Sequence, residues 1–200
     1  MPGVRKTHFV DAMVRARDLV GLGQSIGGMT HGRVDCSDLY RSSVVQAIAA
    51  MDSYIHGVVL DLGVAIVLGR LHVPGKSAQS GLGFNAVSEI LTASTPAEQE
   101  LRARTHLVEL LTRETYQKPD DIGKALSMVG IKSVWKSAFS VNPEGAKLAI
   151  SVIVNRRNKI VHGCDVDPLN PQAVTALSDS DALYSIEVVE TTVLAIDAVI

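Results

Sequence analysis

Arg157 and His162 lie five residues apart in the run Arg156-Arg157-Asn158-Lys159-Ile160-Val161-His162. One offers a permanent planar cation, the other a group that exchanges protons near neutral pH. In RNA cleavage by internal transfer the 2′-hydroxyl attacks the adjacent phosphate, which calls for proton transfer and for stabilisation of the added negative charge. Histidine suits the first task and arginine the second, and neither calls for a metal or a cofactor. On a regular helix the two side chains leave about 140° apart, so they do not share a face. Asn158 and His162, at i and i+4, do share one. A long arginine beside a histidine at a fraying helix end can still converge with it on one phosphate, with Arg156 and Lys159 adding positive charge.

Periodicity adds two further residues. Ile150, Ile153, Arg157 and Ile160 fall on one helical stripe, which puts a guanidinium where a core side chain belongs, and a buried arginine needs a partner. Earlier, Val45, Ile48, Asp52, Ile55 and Val59 put a carboxylate on an apolar stripe, with His56 four residues on. The simplest expectation is that these helices face one another and gather Asp52, His56, Arg157 and His162 into a partly buried polar cluster. The competing expectation is an Asp52–Arg157 ion pair that only fixes helix register.

Other combinations are weaker. Gly75-Lys76-Ser77 imitates a phosphate-binding loop, but five residues separate Gly69 from Gly75 where the motif needs four, and Arg70 stands where its first glycine belongs. Gly21-Leu22-Gly23 and Gly27 follow an amphipathic segment instead of a strand, so they make no dinucleotide fingerprint. Cys164 sits two residues past His162, yet no second Cys/His cluster at ligand spacing completes a zinc site.

Helical periodicity runs through most of the chain, and strand alternation is hard to find. A first helix is expected over 7–20, then a mobile connection over 21–32, where GLGQSIGGMTHG holds five glycines in twelve residues. A long central helix follows from an N-cap at Ser37 to near Gly69. The run 44–68 is apolar, but Asp52, His56 and Asp61 interrupt it, which argues for a buried helix and against a membrane anchor. Further helices are expected near 84–93, over 101–116 from a capping box at Thr95-Pro96-Ala97-Glu98, near 122–129, around Trp135, over 143–162 with Gly163 as the stop, and from Ser178 or Ser180 to the end. Pro168 and Pro171 are expected to keep the preceding loop open. The apolar run Val193 to Ile200 invites a continuation or a partner surface.

The 200 residues, 46% apolar and 20% charged, allow one globular domain with a full core. Nineteen basic against 21 acidic residues, net −2, leave no protein-wide attraction to phosphates, so nucleic acid must be met by a local patch. Arg156, Arg157 and Lys159 form the densest such patch. No lysine or arginine follows it, while seven acids do, so a charge match between neighbouring helices is the other explanation. Two cysteines make no disulfide framework, and the N-terminal residues lack the apolar run of a signal peptide; a reducing cytoplasm is expected.

The longer string from Arg156 to Pro168, with Arg157, Asn158 and His162 at its heart, resembles the signature of the HEPN superfamily, in particular its RiboL-PSP-HEPN branch. Asp38-Leu39-Tyr40-Arg41, Ala50-Met51-Asp52 and Tyr54-Ile55-His56 look like that branch's first long helix, and Tyr116 to Ile122 with Trp135 like its middle. The resemblance covers residues 35–200 of a single domain, with 1–34 as an N-terminal helix and Gly-rich linker. It departs at Gly163, where many members carry glutamate. The resemblance implies an all-α HEPN-like bundle with a long central helix and extra helices, usually a homodimer, and a metal-independent endoribonuclease. In that role His162 is the general acid or base and Arg157 holds the phosphate, with Asn158, Arg156, Asp52 and His56 in support and Lys159 on the RNA. Toxin–antitoxin or antiviral-defence service, under an antitoxin or sensor partner, is implied as well. The rival expectation is a non-catalytic HEPN module for dimerisation or partner docking.

Overall fold

The computed structural model describes residues 2–73 and 81–200; the Gly75-Lys76-Ser77 motif lies outside the described residues. The described chain is all-α with one small hairpin: α1 (Pro2–Met29), α2 (Ser37–Val67), α3 (Phe84–Leu91), α4 (Pro96–Leu111), α5 (Pro119–Met128), α6 (Val134–Ala138), α7 (Pro143–Gly163), β1 (Val166–Asp167), β2 (Asn170–Val174) and α8 (Asp179–Asp197).

The central helix α2 packs against α1, α4, α5, α7 and α8. It is long and apolar enough to cross a membrane by length and composition. Its apolar stripe is instead the middle of the core: Val44, Ile48, Met51 and Ile55 are fully buried. α8 repeats Ala182, Ile186, Val189, Val193 and Ile196 at spacings of four and three, and all five are fully buried. Ser178 opens that helix, accepting from the Asp181 N–H while the Asp181 carboxylate accepts from the Ser178 N–H. Thr95 caps α4 as its spacing predicts, except that Glu98 reaches back to the Ser94 N–H.

α1 departs from expectation. It does not stop at Val20 but continues through the glycines to Met29. Tertiary packing overrides the low helix propensity of glycine there. Gly23 lies under the Tyr40 ring so closely that a Cβ would sit 2.6 Å from Cε1. Arg17 pairs with Glu190, Gln24 donates to Asp179, and Lys6 pairs with Asp197 at 2.7 Å, all on α8. Of the acids after Lys159, Glu190 and Asp197 thus answer cations on α1, while Asp165 answers Arg156 of the basic patch on α7. The turn comes later, at His31 and Gly32, both with positive φ. The N-cap of α2 is Cys36, one residue before Ser37, with Asp35 accepting from the Ser37 N–H.

The end of α7 differs too. Gly163 is still helical, and the left-handed stop is made by Cys164 (φ 48°) and Asp165 (φ 55°). The proline-bearing segment after it is not an open loop; β1 and β2 pair antiparallel there.

Candidate functional site

Three polar centres lie around the joint between α2 and α7, and the structure keeps them separate. The first is the connection from α4 to α5. Asp52 of α2 accepts from the Tyr116 N–H at 2.6 Å and from the Gln117 amide at 3.1 Å. His56 Nδ1 lies 3.2 Å from Asp52 Oδ1, and Nε2 lies 3.2 Å from the carbonyl of Leu111, the last residue of α4. Hydrogen bonding to Asp52 overcomes the effect of burial and pushes His56 up to about 9. Burial works against ionisation of Asp52, but bonds from His56, Gln117 and the Tyr116 N–H outweigh it and hold its carboxyl below the usual range. His56 is therefore an imidazolium at neutral pH, donating from both nitrogens. Its positive charge sits on the C-terminal carbonyls of α4 and over the Tyr116 ring at 4.4 Å, both favourable for a cation.

The second centre lies just past α7. Asp165, 1% exposed, accepts from Arg41 Nε at 2.9 Å and Arg156 Nη2 at 2.7 Å. Arg41 and Arg156 also donate to the Thr175 carbonyl, and Arg156 to that of Ala176. This network ties the start of α2, the end of α7 and the segment just past β2 together. Oδ1 of Asp165 and Nε of Arg156 are buried there without a hydrogen bond. Asp165 and Arg41 were not candidates from the sequence. The available signal was an acid just beyond a helix end with an arginine nine residues back on that helix, a pattern that becomes legible only once Arg41 is known to face it.

The third centre is the last two turns of α7. Arg157 is half-buried on the core side, its Nε enclosed without a partner, and Nη1 donates to Asn158 Oδ1 at 3.1 Å. Lys159 and His162 are exposed. Among the described residues none of these three side chains pairs with a carboxylate. The expected four-membered cluster does not form: no hydrogen bond or ion pair among the described residues joins Asp52 or His56 to Arg157 or His162, and Asp52 and Arg157 do not fix register as an ion pair. The reason is local. A backbone N–H and an amide from the α4–α5 connection reach Asp52 first, and Arg157 satisfies part of its fork on its own neighbour. Arg156, expected beside Arg157 in support, is committed to Asp165.

What the third centre can do is hold an anion and move a proton. A half-buried cation held by Asn158 shares the last two turns of one helix with an exposed ammonium two residues on and an exposed imidazole five residues on. Among the described residues no three of His, Cys, Asp and Glu converge as a metal site. No family model matches the sequence, and neither a curated protein nor a solved structure matches it.

Proposed function

We propose that this protein is a metal-independent endoribonuclease of HEPN type. The observation that carries the reading is Arg157: a half-buried guanidinium without a carboxylate partner among the described residues, steadied by Asn158 and set five residues before the exposed His162. An enclosed cation left without an acid is poised for an anionic ligand. In the proposed reaction the 2′-hydroxyl gives up its proton and attacks the adjacent phosphorus. The bond from phosphorus to the 5′-oxygen breaks, and that oxygen takes a proton, leaving a 2′,3′-cyclic phosphate and a 5′-hydroxyl. His162 handles one of these protons, while Arg157 and Lys159 balance the charge that gathers on the phosphoryl oxygens. A homodimer that brings two copies of the α7 end together supplies a histidine for each proton step. The setting that fits is cytoplasmic, as a toxin or antiviral-defence effector restrained or triggered by an antitoxin or sensor partner.

Leu148 and Val152, exposed at i and i+4 on α7, favour a second reading, in which the same helix docks another helix and no RNA is cut. One experiment separates the two. Wild-type protein, Arg157→Ala and His162→Ala are incubated with labelled total RNA in EDTA, and products and their end groups are read. Cleavage giving 2′,3′-cyclic phosphate ends is expected, reduced by roughly 10²–10⁴-fold in His162→Ala, with both variants folded. A folded wild type that leaves RNA intact sinks the nuclease reading and favours docking.

A further inference from the structure

A groove of about 370 Å³ runs between α1 and α2. On α1 it is bordered by Arg5, His8, Ala12 and Arg15, spaced three, four and three apart and so aligned on one stripe. On α2 the facing wall is Gln46, Ala49, Ala50, Ser53 and Tyr54, mostly short side chains that leave the space open. No acid lines it. Arg5 lies across Gly57, where a Cβ would come within 2.8 Å of its Cδ, and binds Asp61 through Nε and Nη2. Arg15 and His8 are exposed and make no ion pair among the described residues. Asp11 and Asp18, four residues before Arg15 and three after it, do not line the groove, and neither pairs with Arg15 among the described residues.

We infer that this groove holds the phosphodiester backbone of single-stranded RNA, a track for the substrate beyond the cleavage centre at the end of α7. Arg5 and Arg15 do not converge on a point, as a site for one phosphate would have them. They stand ten residues apart on the helix, about 15 Å at 1.5 Å per residue, a span that takes in more than one phosphate of an extended strand. Phe9, the one phenylalanine on the lining, is buried, and Tyr54 is buried with its hydroxyl donating to Asp197, so the groove offers no open aromatic platform for a base. The contact is therefore with backbone, and indifferent to sequence. The groove also leads somewhere. Gln46 lines both it and a second cleft of about 590 Å³, whose far wall is Ile160 and Cys164, the latter two residues past His162.

The inference rests on RNA as the substrate, so binding is measured apart from cleavage. Fluorescence anisotropy with a labelled 2′-O-methyl oligoribonucleotide, which has no nucleophile, is run over a range of salt on the folded full chain. Arg15→Gln is expected to weaken binding about five- to tenfold and to flatten the logarithmic salt slope by about 0.7, one phosphate contact on a single strand. Ala49→Glu, which fills the exposed wall with an opposing charge, is expected to weaken it at least as much. Unchanged affinity in both folded variants overturns the track even if RNA cleavage is intact. Adenosine monophosphate or inorganic phosphate binding at Arg15 without oligonucleotide binding also overturns it. Groove-dependent binding by a protein that cuts no RNA leaves the track standing and removes the nuclease instead.

Discussion

His56 is the residue whose ionisation reports most directly on the fold. Its pKa in the folded chain, about 9, lies above the ordinary 6.5, so the protonated form is favoured by folding. The stabilisation it brings is complete below about pH 6.5 and drains away as pH rises through about 9. Asp52, lowered in the fold, acts on the opposite side, its contribution lost as pH falls through its depressed value. Urea midpoints should therefore decline from pH 6.5 to 9.5 in wild type, and His56→Gln should flatten that limb. Asp52→Ala is expected to cost about 1–3 kcal/mol, because it leaves the Tyr116 N–H and the Gln117 amide without their acceptor. A variant as stable as wild type would remove Asp52 from its structural role. The sequence marked both residues as anomalous on their helix, and both are indeed paired. Their partners outside α2 were not legible, because a backbone N–H at residue 116 and a carbonyl at 111 carry no side-chain signature.

At the scale of elements, α1 and the end of α7 show how packing overrules local preference. Glycines at 21, 23, 27 and 28 read as a linker only if each residue is judged by its own propensity. Gly23 is where packing demands glycine, under Tyr40, whereas a Cβ at Gly21 meets nothing within 4 Å. Gly21→Ala is thus expected to stabilise by up to about 1 kcal/mol, the ordinary propensity gain. Gly23→Ala is expected to lose about 1–3 kcal/mol through the clash with Tyr40, despite the same gain. Thermal melts that rank the two variants the other way would contradict this packing of α1. Asp165 plays the matching part for α7. Asp165→Ala leaves buried Arg41 with only the exposed Asp38 and half-buried Arg156 with no acid, and should cost about 3–5 kcal/mol in chemical denaturation. Helix order, the Thr95 and Ser178 caps and the α8 stripe were readable because they depend on neighbours within one turn. The joins between helices were not, since those depend on residues from tens to more than a hundred positions apart, as at Asp52–Tyr116 and Arg41–Asp165.

Over the whole molecule, α1 is part of the body rather than an appendage to residues 35–200. Phe9, Met13, Ala16 and Val20 sit in the same core as α2 and α8. A chain beginning at Asp35 should lose cooperative thermal unfolding and expose apolar surface to a dye, whereas a detachable helix would leave the transition of the remainder intact. Lys6 and Asp197 touch at 2.7 Å although 191 residues separate them, and that closure bears on how the protein is made. At about 5–20 residues per second on a ribosome, α1 waits on the order of 10–40 s for α8. A nascent chain interrupted in that interval carries the bare inner flank of α1 and α2, a target for chaperones and proteases.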